Sequence, residues 1–390
     1  MKKLCEKYAA KLAAQGIAPA QGPDAPLIGG LDAELAWNRE DPKIPLLSGL
    51  FDNLSINSLV FVRPAEPYRT ILDFLAARNP KAIRPEDTET RTFLHDIPVC
   101  PKLALPAMTD RLKRRKVIVL PGQGIIACGT VTPEQGFVSV SSAIFSTFVL
   151  FFSDYLNRAR RGALDSEYAE AFSRVVRLLP EPRTDLPSLA QGPFRDEESV
   201  VSAMAEAGRK VVEFGLVDSF FGNISYLLNG TIHISQTGSS LDELAGCIDP
   251  CPLDGSSTNG LTASSELTAH EDVYRRSRYD CILHGHPKFS VIMSMDCERG
   301  NCPNRGRCHI ACKECRTVDG VPVVPGEVGT GPTGLCHTLP PAMAANGAAL
   351  VHGHGLFTAG EHDFNAPFAR LLEIENRCRE LYFERLSQYV

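Results

Sequence analysis

Gly353-His354-Gly355-Leu356-Phe357-Thr358-Ala359-Gly360 stands near the end of this 390-residue chain. It follows the apolar run Ala349-Leu350-Val351 and precedes a long helical pattern. A second phrase, Gly122-Gln123-Gly124-Ile125-Ile126-Ala127-Cys128-Gly129, has the same setting after Val117-Ile118-Val119-Leu120. Upstream, Asp319-Gly-Val-Pro-Val-Val-Pro325 answers to Asp96-Ile-Pro-Val-Cys-Pro101, and Leu339-Pro-Pro-Ala-Met343 answers to Ala104-Leu-Pro-Ala-Met108. Further back, Cys281-Ile-Leu-His284-Gly-His286-Pro287 matches Leu59-Val-Phe-Val-Arg-Pro64 in character. Similar phrases in the same order point to an internal duplication.

The boundary between the copies falls in the Pro-rich, polar stretch Leu179 to Phe194. The expected organisation is a first domain over 1–178, a linker over 179–196 and a second domain over 197–390. Apolar residues three and four apart predict helices over Ser166–Leu178 and Glu197–Phe214. Strand-like runs occur at Ser225–Leu228, Thr231–Ser235, Cys281–Leu283, Pro322–Val324 and Ala348–Val351. Helices alternate with these strands, so the expected class is α/β or α+β, with one mixed sheet flanked by helices in each copy.

Three phrases in the second half carry chemistry. In His284-Gly285-His286 the two imidazoles are two residues apart at the end of an apolar run, so on a strand they face one side. His352-Gly353-His354 ends a second run, and a third imidazole from there completes a metal site with an open position. His354 is favoured by the repeat register, and His352 is a rival ligand or a supporting group. Ser264-Ser265-Glu266 precedes a helical pattern with His270 and Tyr274 one turn apart, and a carboxylate beside a metal can move a proton on and off carbon. Taken singly, each phrase has a plainer reading: a core or surface His pair, an ordinary helix cap, a Gly turn. Their joint occurrence in one half favours the functional reading. The first half has Gln123 where the second has His354, has no His near residues 59–67 and has no Ser-Ser-Glu. It reads as a copy without metal ligands.

These residues resemble the class II aldolase/adducin superfamily, whose enzymes include L-fuculose-phosphate aldolase, L-rhamnulose-phosphate aldolase and L-ribulose-5-phosphate 4-epimerase. The resemblance runs over about residues 197–385, through Gly222-Asn223-Ile224-Ser225, Ser235-Gln236-Thr237-Gly238, Ser264-Ser265-Glu266-Leu-Thr-Ala-His270, His284-Gly-His286-Pro287 and His354-Gly355 to Gly360. It implies a three-layer domain with Zn2+, or another divalent ion such as Mn2+, Co2+ or Fe2+, on His284, His286 and His354. It implies that Glu266 is the acid/base carboxylate, and that Gly222, Asn223, Thr237, Gly238, Ser264 and Ser265 bind the substrate phosphate. Small residues that expose backbone N–H groups, and hydroxyls at a helix start, suit an anion on their own account. The implied reaction is reversible retro-aldol cleavage of a phosphorylated ketose-like substrate through a metal-stabilised enediolate. Epimerase relatives carry Asp where this chain has Glu266, which favours the aldolase. The resemblance also implies a ring of domains with sites at subunit contacts, here a homodimer or homotetramer. The alternatives are a non-catalytic adducin-like scaffold, an epimerase, or a redox protein built on cysteines.

That last alternative rests on Cys297, Cys302, Cys308, Cys312 and Cys315, which crowd into a polar insert over 296–316 with His309 among them. Cys247 and Cys251 form a further pair. The resemblance does not account for the insert. A second zinc or an iron–sulfur cluster is the functional reading, and free thiols in a polar loop the plain one. The chain holds 13 cysteines, an odd number, so a fully paired disulfide framework within one chain is impossible. A mild net charge of -6 argues against a nucleic-acid partner, and the basic run Arg111 to Lys116 (RLKRRK) reads as a solvated helix end. The N-terminal stretch lacks an apolar signal core. The run Ala143 to Leu156 looks too short and too polar to span a bilayer. The expectation is a cytoplasmic protein with no membrane partner.

Overall fold

Val117-Ile-Val-Leu120 and Ala348-Ala-Leu-Val351 are buried along their whole length, as strands covered on both faces must be. Each leads through a Gly turn into a second strand and then a long helix. In a computed structural model the chain is described throughout, apart from residues 219, 300, 301, 313 and 327–330 and the side chain of Glu89. Gly300, Asn301 and Lys313 of the cysteine insert thus lie outside the described residues. The chain divides into two compact units, Met1–Pro180 and Glu181–Val390.

The first unit comprises α1 (Lys2–Ala14), β1 (Leu27–Leu31), β2 (Leu35–Trp37), α2 (Ile44–Asn53), β3 (Ser58–Val62), α3 (Tyr68–Arg78), β4 (Ala82–Ile83), α4 (Thr88–Leu94), β5 (Ile97–Pro98), α5 (Leu105–Leu112), β6 (Val117–Leu120), β7 (Gly124–Gly129), α6 (Pro133–Arg160) and α7 (Ser166–Arg177). Its main sheet has the order β2-β1-β3-β7-β6, antiparallel at every step. Parallel pairing is confined to the bridge Val99–Val119. One face is covered by α2 and α5 through Leu47, Leu50, Met108 and Leu112.

α6 corrects the reading of Ala143–Leu156. The apolar run is the middle of a 28-residue helix that is long and apolar enough, by length and composition, to cross a membrane. Its Ser and Thr residues do not break it, because Ser139, Ser142 and Thr147 donate to carbonyls one turn back. Within the protein, 89% of its apolar window is buried. Phe145, Phe148, Phe151 and Phe152 make it a core helix of this unit.

The second unit comprises α8 (Glu197–Glu213), β8 (Asn223–Leu228), β9 (Thr231–Ser235), β10 (Ile248–Pro252), α9 (Leu267–Arg276), β11 (Cys281–Gly285), α10 (Lys288–Met295), α11 (Cys308–Ala311), β12 (Arg316–Val318), β13 (Val321–Val324), α12 (Leu335–Asn346), β14 (Ala348–Val351), β15 (Gly355–Gly360) and α13 (Asn365–Leu386). Its sheet runs β10-β9-β8-β11-β15-β14-β13-β12. It is mixed, with β13 and β14 parallel and the other neighbours antiparallel. α9 and α12 cover one face, where Val273, Leu339 and Met343 pack on Ile282, Ala349 and Phe357. α10 and α13 pack on β15.

The two sheets share strand order and register over five strands. Val62 pairs with Ile125 and Ser58 with Gly129, as Gly285 pairs with Leu356 and Cys281 with Gly360. Leu27 pairs with Phe61 as Asn223 pairs with His284. Leu120 pairs with Gly124 as Val351 pairs with Gly355. Phe61 thereby takes the sheet position of His284, and Gln123, the residue before Gly124, takes that of His354.

Candidate metal centre

The buried strand β11 presents His284 on its last turn of pleat and delivers His286 just beyond its end. The β14–β15 turn supplies the third imidazole. Gly353 adopts φ +64°, which few side-chain-bearing residues tolerate, and His354 N–H donates back to the Val351 carbonyl. The strands must nearly touch for the rings to converge. A Cβ on Gly355 would lie 2.5 Å from the Gly285 carbonyl oxygen and 2.6 Å from Cε1 of His284. No side chain other than hydrogen fits there without displacing the histidines.

The rings meet at their Nε2 atoms, with His284 Nε2 3.0 Å from His286 Nε2 and 3.2 Å from His354 Nε2. Nδ1 of His284 lies 3.1 Å from the Leu356 carbonyl oxygen, which only a ring N–H can satisfy. That contact fixes the tautomer and turns a lone pair on Nε2 toward the other two rings. Phe357 stacks on His284 at 3.7 Å between centroids, and Phe221 stacks on His286 at 5.4 Å. Burial pushes the His284 imidazole down to about 4 and that of His286 well below its ordinary value. All three rings are buried. Three buried imidazoles whose Nε2 atoms converge, with His284 and His286 held neutral by burial, are a donor set that suits a divalent cation. Among the described residues, this is the set of three with all its donor atoms within 4.8 Å of one another.

Glu266 stands at the N-cap of α9, buried beside the rings. Its Oε1 is 3.2 Å from His354 Nε2, and its Oε2 is 3.7 Å from His284 Nε2. Asn223 Nδ2 donates to Oε2 at 2.5 Å. Burial works to raise the carboxyl pKa, but the imidazoles of His284 and His354 and the Asn223 amide outweigh it and hold the group well below the usual range. The carboxylate is ionised, oriented and within reach of whatever the histidines hold. Behind it, Ser225 Oγ contacts His270 Nδ1 at 2.7 Å and Tyr274 Oη at 2.6 Å. Burial lowers His270 to about 4, so this ring too is neutral.

The residues expected to bind phosphate fall into two groups. Asn223 and Ser264 are buried, and Asn223 is committed to Glu266. Ser264 Oγ accepts from the Glu266 N–H at 3.3 Å. Thr237, Gly238 and Ser265 are exposed. The two loops are joined by Thr237 N–H to the Thr262 carbonyl and Thr237 Oγ1 to the Ala263 carbonyl. Gly222 has φ +84°, and a Cβ there would lie 2.5 Å from the His284 carbonyl oxygen, so its role is close packing behind the histidine strand. His352 lies outside the three-imidazole set, with its backbone N–H on the Val324 carbonyl.

Some contributors left no readable trace in the sequence. Glu375 on α13 is half-buried and accepts from the N–H groups of Phe289 and Ser290, at 2.9 and 2.8 Å, and from Ser290 Oγ. It caps α10 directly after His286-Pro287. Lys288 is anchored by Asp218 at 2.5 Å. No local spacing announces either contact, since each partner is some 70 or more residues away.

Residues 202–382 match the family model described as Class II Aldolase and Adducin N-terminal domain. No curated protein sequence matches the chain. Similar solved structures include L-fuculose-1-phosphate aldolase from Thermus thermophilus, 24% identical with a TM-score of 0.40, covering 50% of this chain and 98% of that one. Another is YgbL from Klebsiella pneumoniae, described as a putative aldolase/epimerase/decarboxylase, 23% identical with a TM-score of 0.38, covering 50% of this chain and 100% of that one.

Proposed function

We propose that the second unit, whose residues 202–382 match the class II aldolase and adducin family model, is a metal-dependent lyase of aldolase type, cleaving a phosphorylated ketose-like substrate. The observation that carries this reading is the meeting of three buried imidazoles at their Nε2 atoms beside one ionised carboxylate. A non-catalytic scaffold has no use for buried lone pairs turned on one another.

His284, His286 and His354 would hold the divalent ion, with zinc the first candidate for a nitrogen-only set. When bound it supplies a Lewis acid for the substrate's keto and hydroxyl oxygens. Glu266 carries the proton traffic. Asn223 holds Oε2, which leaves Oε1 to take a proton and return it to carbon once the C–C bond has opened. Phe357 and Phe221 keep the imidazoles in place by stacking. The exposed Thr237, Gly238 and Ser265, with buried Ser264, are positioned for the phosphate end, where α9 begins and its dipole favours an anion.

We read the first unit as a copy of the same domain without the chemistry. The shared register supports this, with Phe61 and Gln123 in the positions of His284 and His354. Two or four chains would assemble, and the thirteen cysteines, free of disulfides, suit a reducing cytoplasm.

The test is metal content and aldehyde release together. Wild type, His284→Ala/His286→Ala and Glu266→Gln are assayed for bound metal and for cleavage of a panel of ketose phosphates. The expected result is metal in wild type and Glu266→Gln, lost at the triad in the double variant, with cleavage by wild type only. Metal-free wild type after reconstitution, or a loaded triad that cleaves none of the panel, would overturn the reading.

A further inference from the structure

The insert between α10 and β12 has no core. Among its described residues from 296 to 317 none is buried, yet the chain forms turns and the short helix α11. Ordering about twenty residues without apolar burial costs on the order of 1–2 kcal/mol of backbone entropy per residue. Something other than the hydrophobic effect must offset that cost.

The hydrogen bonds fold the segment around its cysteines. Arg305 N–H donates to the Cys302 carbonyl, and Arg307 N–H to the Asn304 carbonyl. The Asn304 side chain donates to the Ala311 carbonyl at 3.1 Å, tying the Cys302 turn to α11. Cys308 Sγ lies 3.6 Å from the Asn304 carbonyl oxygen, and Cys312 N–H closes the next turn on the Cys308 carbonyl. Cys308 and Cys312 thus share one face of a helical turn. Arg299 pairs with Glu314 at 2.7 Å, which draws the Cys297 end against the same turn. The Cys308 thiol is pushed up by burial and then by the neighbouring Cys312, Cys297 and Cys302. Cys315 is exposed, whereas the other four are partly buried. Cys251 lies on β10, at the opposite edge of the sheet from β12, so Cys247 and Cys251 are not partners.

We propose that Cys297, Cys302, Cys308 and Cys312 bind one structural zinc ion, separate from the histidine site. Four thiolates around a tetrahedral ion would replace the missing core. Among the described residues only the histidine donors already stand within 4.8 Å of one another; the four cysteines lie on successive turns of one segment, and the ion would draw their thiols together. Arg299, Arg305, Arg307 and Arg316 stand in the same stretch of sequence as the four cysteines. Zinc rather than an iron–sulfur cluster fits a site whose side chains are all partly exposed, with no apolar shell to shield sulfide. The staple also reaches the catalytic half of the unit. Arg316 donates to the Ser294 and Asp296 carbonyls, and Ser294 Oγ accepts from the Gly353 N–H at 2.9 Å, next to His354.

The experiment is elemental analysis of the full chain beside three variants. Wild type should hold about two metal ions, and His284→Ala/His286→Ala and Cys308→Ser/Cys312→Ser about one each, as two independent sites require. Cys315→Ser should keep both. Cobalt reconstitution of the histidine variant should show thiolate-to-metal charge transfer, which an imidazole site lacks. In case the cysteine variant fails to fold, alkylation of native protein supplies the same answer. Cys297, Cys302, Cys308 and Cys312 should be protected together until a chelator is added, with Cys315 reactive throughout. Loss of all metal in the histidine variant, iron with acid-labile sulfide, disulfides among the four, or loss of the second ion in Cys315→Ser would each overturn the assignment. None of these outcomes depends on the proposed aldolase activity.

Discussion

Glu375 holds Ser290 at two points, accepting from its backbone N–H and from its hydroxyl, both at 2.8 Å. The carboxylate belongs to the last helix, and Ser290 to the first turn of the helix that leaves His286. A residue outside the three-imidazole set thereby fixes the start of the helix that follows His286. Glu375→Ala leaves the N–H groups of Phe289 and Ser290 without their acceptor inside the protein. The expected loss of stability is about 1–3 kcal/mol, with weaker metal retention at the histidine site. Thermal melts and metal competition read the two effects. A variant as stable and as well loaded as wild type would remove Glu375 from this role.

His354 and His352 are separated by substitution. His354→Ala removes a donor and should weaken metal binding by roughly 100-fold or more, beyond the ~10–100-fold typical of supporting residues. His352→Ala should stay within about tenfold of wild type, since it lies outside the converging set. Competition with a coloured chelator measures both. The reverse order would make His352 the ligand.

Gly355→Ala tests the close approach of β11 and β15. The added methyl group meets His284 Cε1 at 2.6 Å and the Gly285 carbonyl oxygen at 2.5 Å. Overpacking of this kind costs about 1–3 kcal/mol, and here the strain falls on two ligands. Metal affinity should drop together with the melting temperature. An unchanged affinity would mean that the strands part without moving the rings.

Acid should destabilise the metal-free protein in a defined window. His270 and His284 titrate at about 4 when folded, His286 lies lower still, and the ordinary value is 6.5. Below 6.5 the unfolded chain binds protons that the folded chain refuses, so stability falls as pH drops from 6.5 toward 4. At and above neutrality this contribution is fully present. Denaturant titrations of metal-free protein across that range should show the slope, and His270→Gln should reduce it. A flat profile would show that these rings are not held neutral.

Much of the second unit is legible in its residues alone. Thr231–Ser235 and Ala348–Val351 are strands at the expected limits, because an apolar run bounded by Gly or Asn turns leaves few alternatives. Ser225–Leu228 extends back to Asn223 and Cys281–Leu283 forward to Gly285, since polar residues at a strand end are paired by neighbouring strands. The span of α6 does not show in its apolar middle, as its serines and threonines are helical through bonds to their own backbone.

Local pattern was enough to say which residue types stand two apart on a strand, where turns must fall, and that one half carries candidate ligands the other lacks. These follow from backbone periodicity, which neighbours along the chain express between themselves. Folding was needed to bring His354 rather than His352 to His284 and His286, to set Asn223 against Glu266, and to cap the helix beyond His286 with Glu375. Each depends on strands and helices roughly 40 to 90 residues apart coming into contact. Such contacts are set by packing of the whole unit, and local spacing holds no record of them.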